Sequence, residues 1–425
     1  MKGKATWVWV GVAALVIVSS LALSCAPKKV APTEFTEYVI PTCEDWSGPF
    51  AGQMEAYSWG RNAVFDWWND TVGRESGIKL TPKGFDSRFD TSVIASVWPG
   101  LKDETNAIAY LGMGGADVAA LRERLPDDKV PGIVTTATYS FEWAEEMNWM
   151  IRYRPTYMHE LFALFDLLLK EWPEGDLPIR IGHVSFDKTP VGPDCDKGLA
   201  ALTKLDKYRG KLEYVGTVWT EWIPVDITEA MRPLIAEDVD FVFCSINAAH
   251  VVATYKACEA LGKHIPIIVS SHIGLIRVAE VLGGWEKMEG YYEVAGLSGP
   301  LNHDSRAFKE IWMKYHPAEV TDAAAQWGYD HIQIGAQVML LGRAVEEAAA
   351  AVGANNLTGQ AIYDAFLSMD LTEKECMGYL RGAKWTMESP CPVVNRIGVQ
   401  IGTVKDGKYT MATSGWVPCP EIPMW

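Results

Sequence analysis

From Tyr38 onward the chain alternates short apolar segments with amphipathic helical stretches, which limits it to folds built from βαβ units with mostly parallel sheets. Asn106–Gly112 reads as a strand ending in glycine and Val130–Val134 as the next, with room for a helix between them. A second series begins at Pro178–Ser185 and continues through Leu212–Val215, Asp240–Phe243 and Ile265–Val269. Asp226 and Glu229 mark one helix start, and Val251–Leu261 is a helix closed by Gly262. After Gly296 the pattern changes to a long helical stretch, Ala323–Val352, and a second helix from about Thr358 to Ser368, without clear strands. The chain then finishes in a hairpin, Arg396–Val404 with Lys408–Thr413, turned by Asp406-Gly407. No tandem repeat is present, and 425 residues suit two domains, each with its own buried core.

Residues 1–24 read as a signal peptide. Lys2 and Lys4 supply a positive start, the run from Ala5 to Leu23 carries no charge, and Ser24 is the small residue at the cut. Cys25, directly after it, resembles the cysteine of the bacterial lipobox, which would make it the lipidated first residue of the mature chain; Ala22 departs from the usual leucine. The alternative is an uncleaved anchor, since at about 1.5 Å per residue the run can span roughly 30 Å of hydrocarbon. Prolines and lysines from Ala26 to Thr33 mark residues 25–36 as an extended tether. Both readings place the bulk of the chain outside the cytoplasm.

A formal charge of −16, with no basic cluster to offset it, argues against nucleic acid or an anionic membrane surface as partner. Eight cysteines in an exported chain invite pairing. Cys391 and Cys419 bracket the terminal hairpin and are the first candidates for a disulfide, whereas Cys244 and Cys258 read as buried small hydrophobes. Cys43, Cys195 and Cys376 stay unassigned. No CxxC or His-x-x-x-His spacing points to a metal, and no cofactor motif is present.

Several segments carry a family resemblance. Trp46-Ser47-Gly48-Pro49-Phe50-Ala51-Gly52 resembles the opening loop of bacterial branched-chain amino-acid binding proteins. In family order, Gly84–Asp90 is similar to the second strand and its acidic turn, and Val130–Thr138 to the strand entering the ligand cleft. Asp187–Gly192 is similar to the Asp-x-x-x-Tyr-Gly loop, and Asp240–Phe243 and Val404–Tyr409 to the late strand and terminal hairpin. The resemblance covers nearly all of residues 38–413. It implies an α/β protein of two Rossmann-like lobes, the type I periplasmic-binding-protein fold, joined by three hinge crossings. Lobe one would comprise 37–152 and 297–384, and lobe two 153–296 and 385–425. A small-molecule ligand would be trapped between the lobes and passed to the permease of an ATP-driven (ABC) importer.

In such a fold ligands lie beyond the carboxyl ends of parallel strands, where helix N-termini offer unpaired amides. Gly114, Gly115 and Ala116 occupy one such loop, read either as a ligand contact through backbone amides or as a turn needing positive φ. The resemblance puts a carboxylate-binding serine there, which glycine or alanine replaces. Thr136, Ala137, Thr138 and Tyr139 follow the next strand and match the family's Ala-Ala-Thr; a Ser/Thr cap for a helix beginning near Phe141 is compatible with the same role. Tyr139 and Trp143 either line the pocket or pack the helix. In lobe two, Val191 stands where a covering tyrosine is usual, and His272 stands where an acid usually pairs with the ligand's ammonium. A buried ammonium without a carboxylate faces a desolvation cost of several kcal/mol, which disfavours a conventional α-amino acid. Asn247 is a further polar candidate, Trp46 and Tyr57 are candidates at the cleft mouth, and Trp67-Trp68 read as core.

No Gly-x-Ser-x-Gly, P-loop or His-Glu-x-x-His occurs, so a hydrolase has no constellation to stand on. The expectation is an extracytoplasmic solute-binding protein that closes on an amino-acid-like, carboxylated or aromatic compound and delivers it to an importer. A ligand-sensing module reporting to a receptor is the alternative.

Overall fold

In the computed structural model, which describes residues 34–425 apart from Thr138 and Ser271, the first half of the chain winds into a parallel sheet. Its strands are β1 (Thr36–Glu44), β2 (Ile78–Asp86), β3 (Tyr110–Gly112), β4 (Gly132–Val134) and β5 (Met150–Arg152), in the order β2-β1-β3-β4-β5. Parallel pairing needs crossovers. They include α1 (Met54–Trp68), α2 (Thr91–Thr105) and α3 (Gly115–Leu121). Asp90 fixes the start of α2 by accepting from the amides of Ser92 and Val93 at 2.7 and 3.3 Å, and Asn106 ends it at φ 45°. Trp67 and Trp68 are buried, as their helical spacing with Val64 and Phe65 implied. The signal peptide, Cys25, nearly all of the tether and Thr138 lie outside the described residues.

The chain then crosses to a second lobe through α4 (Tyr157–Leu168), β6 (Ile179–Ser185), α5 (Val191–Leu202), β7 (Leu212–Trp219), α6 (Thr228–Ala236), β8 (Phe241–Cys244), α7 (Ala248–Ala260), β9 (Ile267–Ser270), α8 (Leu275–Leu282) and β10 (Tyr292–Ala295). It returns with α9 (Tyr329–Val352) and α10 (Gly359–Ser368), whose Ile332, Ala336, Leu340 and Ile362 share a core with Ile40, Val64 and Leu80 of the first sheet. A third crossing follows a small antiparallel pair, β11 (Asp370–Thr372) and β12 (Gly382–Lys384), and leads to β13 (Gly398–Lys405), β14 (Lys408–Met411) and β15 (Val417–Pro418). The second sheet runs β14-β13-β10-β9-β8-β6-β7, with β15 on β13. Asp406 and Gly407, both at positive φ, turn the β13–β14 hairpin.

Buried polar bonds tie the three crossings together. Glu160 Oε1 accepts from Arg154 Nη2 at 3.2 Å, beside the first crossing, and from the Gly296 amide at 2.9 Å, beside the second. Trp385 Nε1 donates to the Arg152 carbonyl at 2.6 Å, and the Arg152 amide donates to the Pro390 carbonyl, which fastens the third.

Four expectations are corrected. The proposed Cys391–Cys419 disulfide does not form: all seven cysteines among the described residues are free and buried. The register Gly398↔Pro418 and Val399↔Val417 carries Cys419 toward Ile397, whereas Cys391 precedes the turn Val394–Arg396 and lies beside Glu142 and Arg152. The stretch Ala323–Val352 is not one helix, because Trp327 and Gly328 adopt extended backbone between Gln326 and α9. The block after Gly296 does contain strands, β11 and β12. Residues near Phe141 form only a single 3₁₀ turn, Ser140–Ala144.

Candidate functional site

The loops after β3 and β4 come together at the end of the first sheet. A Cβ placed on Gly115 would lie 3.5 Å from the Tyr139 hydroxyl, and one on Gly114 would lie 3.2 Å from the Phe89 ring and 3.8 Å from Thr136 Cβ. None of Gly112, Gly114 and Gly115 has positive φ, so no left-handed turn demands glycine; a Cβ would be crowded at Gly112 and Gly114, at 3.1 and 3.2 Å, and make ordinary contact at Gly115. Asp117, buried in α3, turns back to accept from the Met113 and Gly114 amides at 3.0 and 2.7 Å and from the Tyr110 hydroxyl. Burial raises its carboxyl above the usual range. Ala116 is buried beside it.

Thr136 is half-buried and lies against the Tyr139 hydroxyl, while Ala137 is enclosed in a core shared with α4 of the second lobe. Tyr139 stacks on Phe141 with ring centres 5.6 Å apart, and Trp143 packs at a tilt against His159 with centres 4.9 Å apart. The Tyr139 amide donates to Glu142, which forms a buried 2.7 Å ion pair with Arg152. Ser140 reaches the other lobe: its amide donates to Asp194 Oδ1 at 3.2 Å and its hydroxyl to the same carboxylate. Asp194 lies in the first turn of α5, which begins at Val191, so Val191 is held near this loop.

Other candidates are spent locally. Asn247 caps α7, accepting from the His250 amide at 3.2 Å, and its Nδ2 donates to the Trp222 carbonyl at 2.9 Å. Trp46 is 48% exposed and donates to Glu44. Tyr57 is buried rather than at a mouth, with its hydroxyl donating to Gln53 and accepting from Gln333.

A cavity of about 360 Å³ opens between the lobes. Lobe two lines it with His272, Arg277, Glu280 and Glu293, and the opposite wall is Ala56 with the segment Trp327–His331. Arg277 of α8 and Asp330 of α9 form an ion pair across it. His272 faces this cavity as a neutral ring, pushed down to about 4 by burial and then by Arg154. Both its nitrogens are engaged, Nδ1 with the Ser270 hydroxyl and Nε2 with the Ile246 carbonyl at 2.8 Å, so it is not a cation for an acidic ligand. Arg277, Glu293, Tyr329 and Asp330 escaped the sequence reading. One signal was available for two of them, the glycine at position 328 inside an apparent helix, which marks a break and a new N-terminus.

A periplasmic binding protein family model matches residues 37–389. The chain belongs to this family. Members of the family bind solutes and are not enzymes. An ABC-transporter substrate-binding protein from Aeropyrum pernix superimposes with a TM-score of 0.73 at 16% identity, over 91% of this chain and 97% of that one. A branched-chain amino-acid ABC transporter protein from Thermus thermophilus with bound valine gives 0.70 at 15%, over 89% and 96%. A solute-binding protein from Rhodopseudomonas palustris in complex with p-hydroxybenzoic acid gives 0.68 at 15%, over 91% and 98%. No curated protein sequence matches the chain.

Within this periplasmic binding protein one cluster imitates a hydrolase. Ser245 Oγ lies 2.8 Å from His183 Nε2, His183 Nδ1 lies 2.8 Å from Thr217 Oγ1, and Thr217 donates to Asp196 at 2.7 Å. The serine and histidine are fully buried, and burial pushes the histidine down to about 3. An imidazole so reluctant to take a proton does not activate a hydroxyl that no substrate reaches. A hollow of about 710 Å³, larger than the interlobe cavity, lies on lobe two alone among Phe186, Trp219 and Ile223–Ile227. Of these two the smaller is walled by both lobes, so its contacts change when the lobes move; a hollow of about 410 Å³ among Leu301, Asn302, Glu373, Gln400 and Met411 also spans the division. Among the described residues no three His, Cys, Asp or Glu side chains group to hold a metal, and no helix is long and apolar enough to cross a membrane.

Proposed function

We propose that this protein captures a small organic solute outside the cytoplasm and delivers it to an ABC importer, with residues 37–152 and 297–384 closing on 153–296 and 385–425. The observation that carries this reading is the cavity walled by both lobes and bridged by Arg277–Asp330. Contacts available only when both walls meet favour the closed state by their differential free energy, so solute and closure stabilise each other. Valine and p-hydroxybenzoic acid, held by two structural neighbours, share a carboxyl group. Trp327 and Tyr329 supply aromatic surface in the interlobe cavity; the Gly114–Ala116 loop and Thr136 with Tyr139, which do not line it, are proposed as the contacts for the carboxyl group. An amino-acid-like, carboxylated or aromatic compound is therefore the ligand class. Lipid on Cys25 would keep the cleft near the membrane that holds the permease.

Mass spectrometry of compounds released by denaturing the natively purified protein tests this reading. The expected result is a stoichiometric small carboxylated solute that rebinds the stripped protein. Release of nothing, together with no binding by the stripped protein across a library of such acids, contradicts it.

A further inference from the structure

Three large apolar side chains stand open to solvent together on lobe two: Trp219 at 42%, Ile223 at 67% and Val225 at 90% exposed. Trp219 ends β7, the edge strand of the second sheet, and residues 220–227 join it to the start of α6. With Phe186 after β6 and Ala230 of α6, this loop walls the hollow of about 710 Å³. Its base is fixed. The Thr220 amide donates to the Ser185 carbonyl at 2.8 Å, and the Trp222 carbonyl accepts from Asn247 Nδ2 at 2.9 Å. The Trp222 ring meets Phe186 edge to face, with centres 5.6 Å apart. Exposed apolar surface held in one shape and rimmed by charge marks a contact face.

Occupants differ in what they ask of such a face. A small solute is enclosed by its site over roughly 70–90% of its surface, whereas a wall tipped by a valine 90% exposed encloses little. Charge separates the larger occupants. The lining carries four carboxylates, Asp187, Glu221, Asp226 and Glu229, against one ammonium, Lys188. Asp226 accepts from the Thr228 amide at 2.9 Å and Glu229 pairs with Arg232 at 2.7 Å, while Asp187 and Glu221 have no ion-pair partner among the described residues. Lys188 Nζ lies 5.9 Å from the centre of the Phe186 ring. This excess of negative charge repels an anionic membrane surface, and it repels a second copy of a chain whose own formal charge is −16. It attracts lysine and arginine.

We propose that this hollow is a docking site for a partner protein that inserts an aliphatic or aromatic side chain among Trp219, Ile223 and Val225 and sets lysine or arginine against Asp187 and Glu221. Burial of the apolar tip supplies the attraction, and the two carboxylates select the partner. The face belongs to lobe two alone and shares no lining residue with the interlobe cavity, so the proposal stands apart from the identity of the solute.

Fluorescence anisotropy of three labelled pentapeptides with the mature protein tests this: Lys-Leu-Phe-Leu-Lys, the charge-reversed Glu-Leu-Phe-Leu-Glu, and the apolar-free Lys-Gly-Ser-Gly-Lys. The expected result is saturable binding of the first, at least tenfold tighter than of either other peptide and weaker as salt rises. In Ile223→Ser with Val225→Ser its affinity should fall at least fivefold at an unchanged urea midpoint, which separates loss of docking from loss of fold. Glu221→Lys should narrow the preference for the basic over the acidic peptide at least threefold. No binding of the first peptide, equal binding of the first two, or unchanged affinity in the double variant overturns the proposal. Binding to phosphatidylglycerol vesicles that the double variant loses would overturn it in favour of a membrane, and a concentration-dependent dimer lost in the same variant would overturn it in favour of a second copy. Each of these outcomes leaves the solute-binding reading intact.

Discussion

Arg152 and Glu142, each essentially inaccessible to solvent, join the loop after β4 to the first crossing. Removing one charge leaves the other buried and uncompensated, which costs about 3–5 kcal/mol. Arg152→Met is expected to lower the unfolding free energy in urea by that amount, and Arg152→Met with Glu142→Leu by distinctly less; equal losses would show that the charges are not coupled. His183 gives a second test at this scale. Burial holds its folded pKa at about 3, below the model-peptide value near 6.5. As pH falls below 6.5 the unfolded chain takes up the proton and the folded one does not, so stability drops by about 1.4 kcal/mol per pH unit from this residue. Urea unfolding between pH 7 and 5 should show a slope flatter by one proton in His183→Asn; an unchanged slope would mean that His183 already titrates in the fold.

At the scale of elements, α1 and α9 cross so closely that a Cβ on Gly60 would lie 2.6 Å from the His331 backbone, which cannot turn aside. Gly60→Ala is expected to destabilise by about 1–3 kcal/mol, read as a lower urea midpoint, and to loosen the α9 N-terminus that bears Tyr329 and Asp330. Stability equal to that of the parent would show that the crossing yields freely. Most strands and helices were legible in the sequence, because β6 to β9 are apolar runs between helical stretches and the Asp406-Gly407 turn has few alternatives; β10, four residues with Glu293 in its middle, was not. What was not legible depended on contacts distant in sequence. β11 and β12 are three-residue strands that exist only by pairing with each other. Glu293 drew no notice in the sequence, because its burial comes from elements far from it along the chain. The Thr136–Tyr139 loop could be found because a strand end is visible locally; the cavity, formed by residues near 272 and near 329, could not.

For the whole molecule, capture requires that two lobes move about three crossings gathered at Arg152 and Glu160 and that contacts across the cavity hold them closed. Arg277 is 39% exposed and its ion pair is open to solvent screening, so Arg277→Ala is expected to weaken solute binding only about two- to fivefold, less at high salt. A salt-independent loss would assign Arg277 a different role. Closure of the lobes is read by small-angle X-ray scattering. Protein stripped of solute and then given back the compound with which it purifies should show a smaller radius of gyration, tracking the binding curve; tight binding with an unchanged radius would contradict the account.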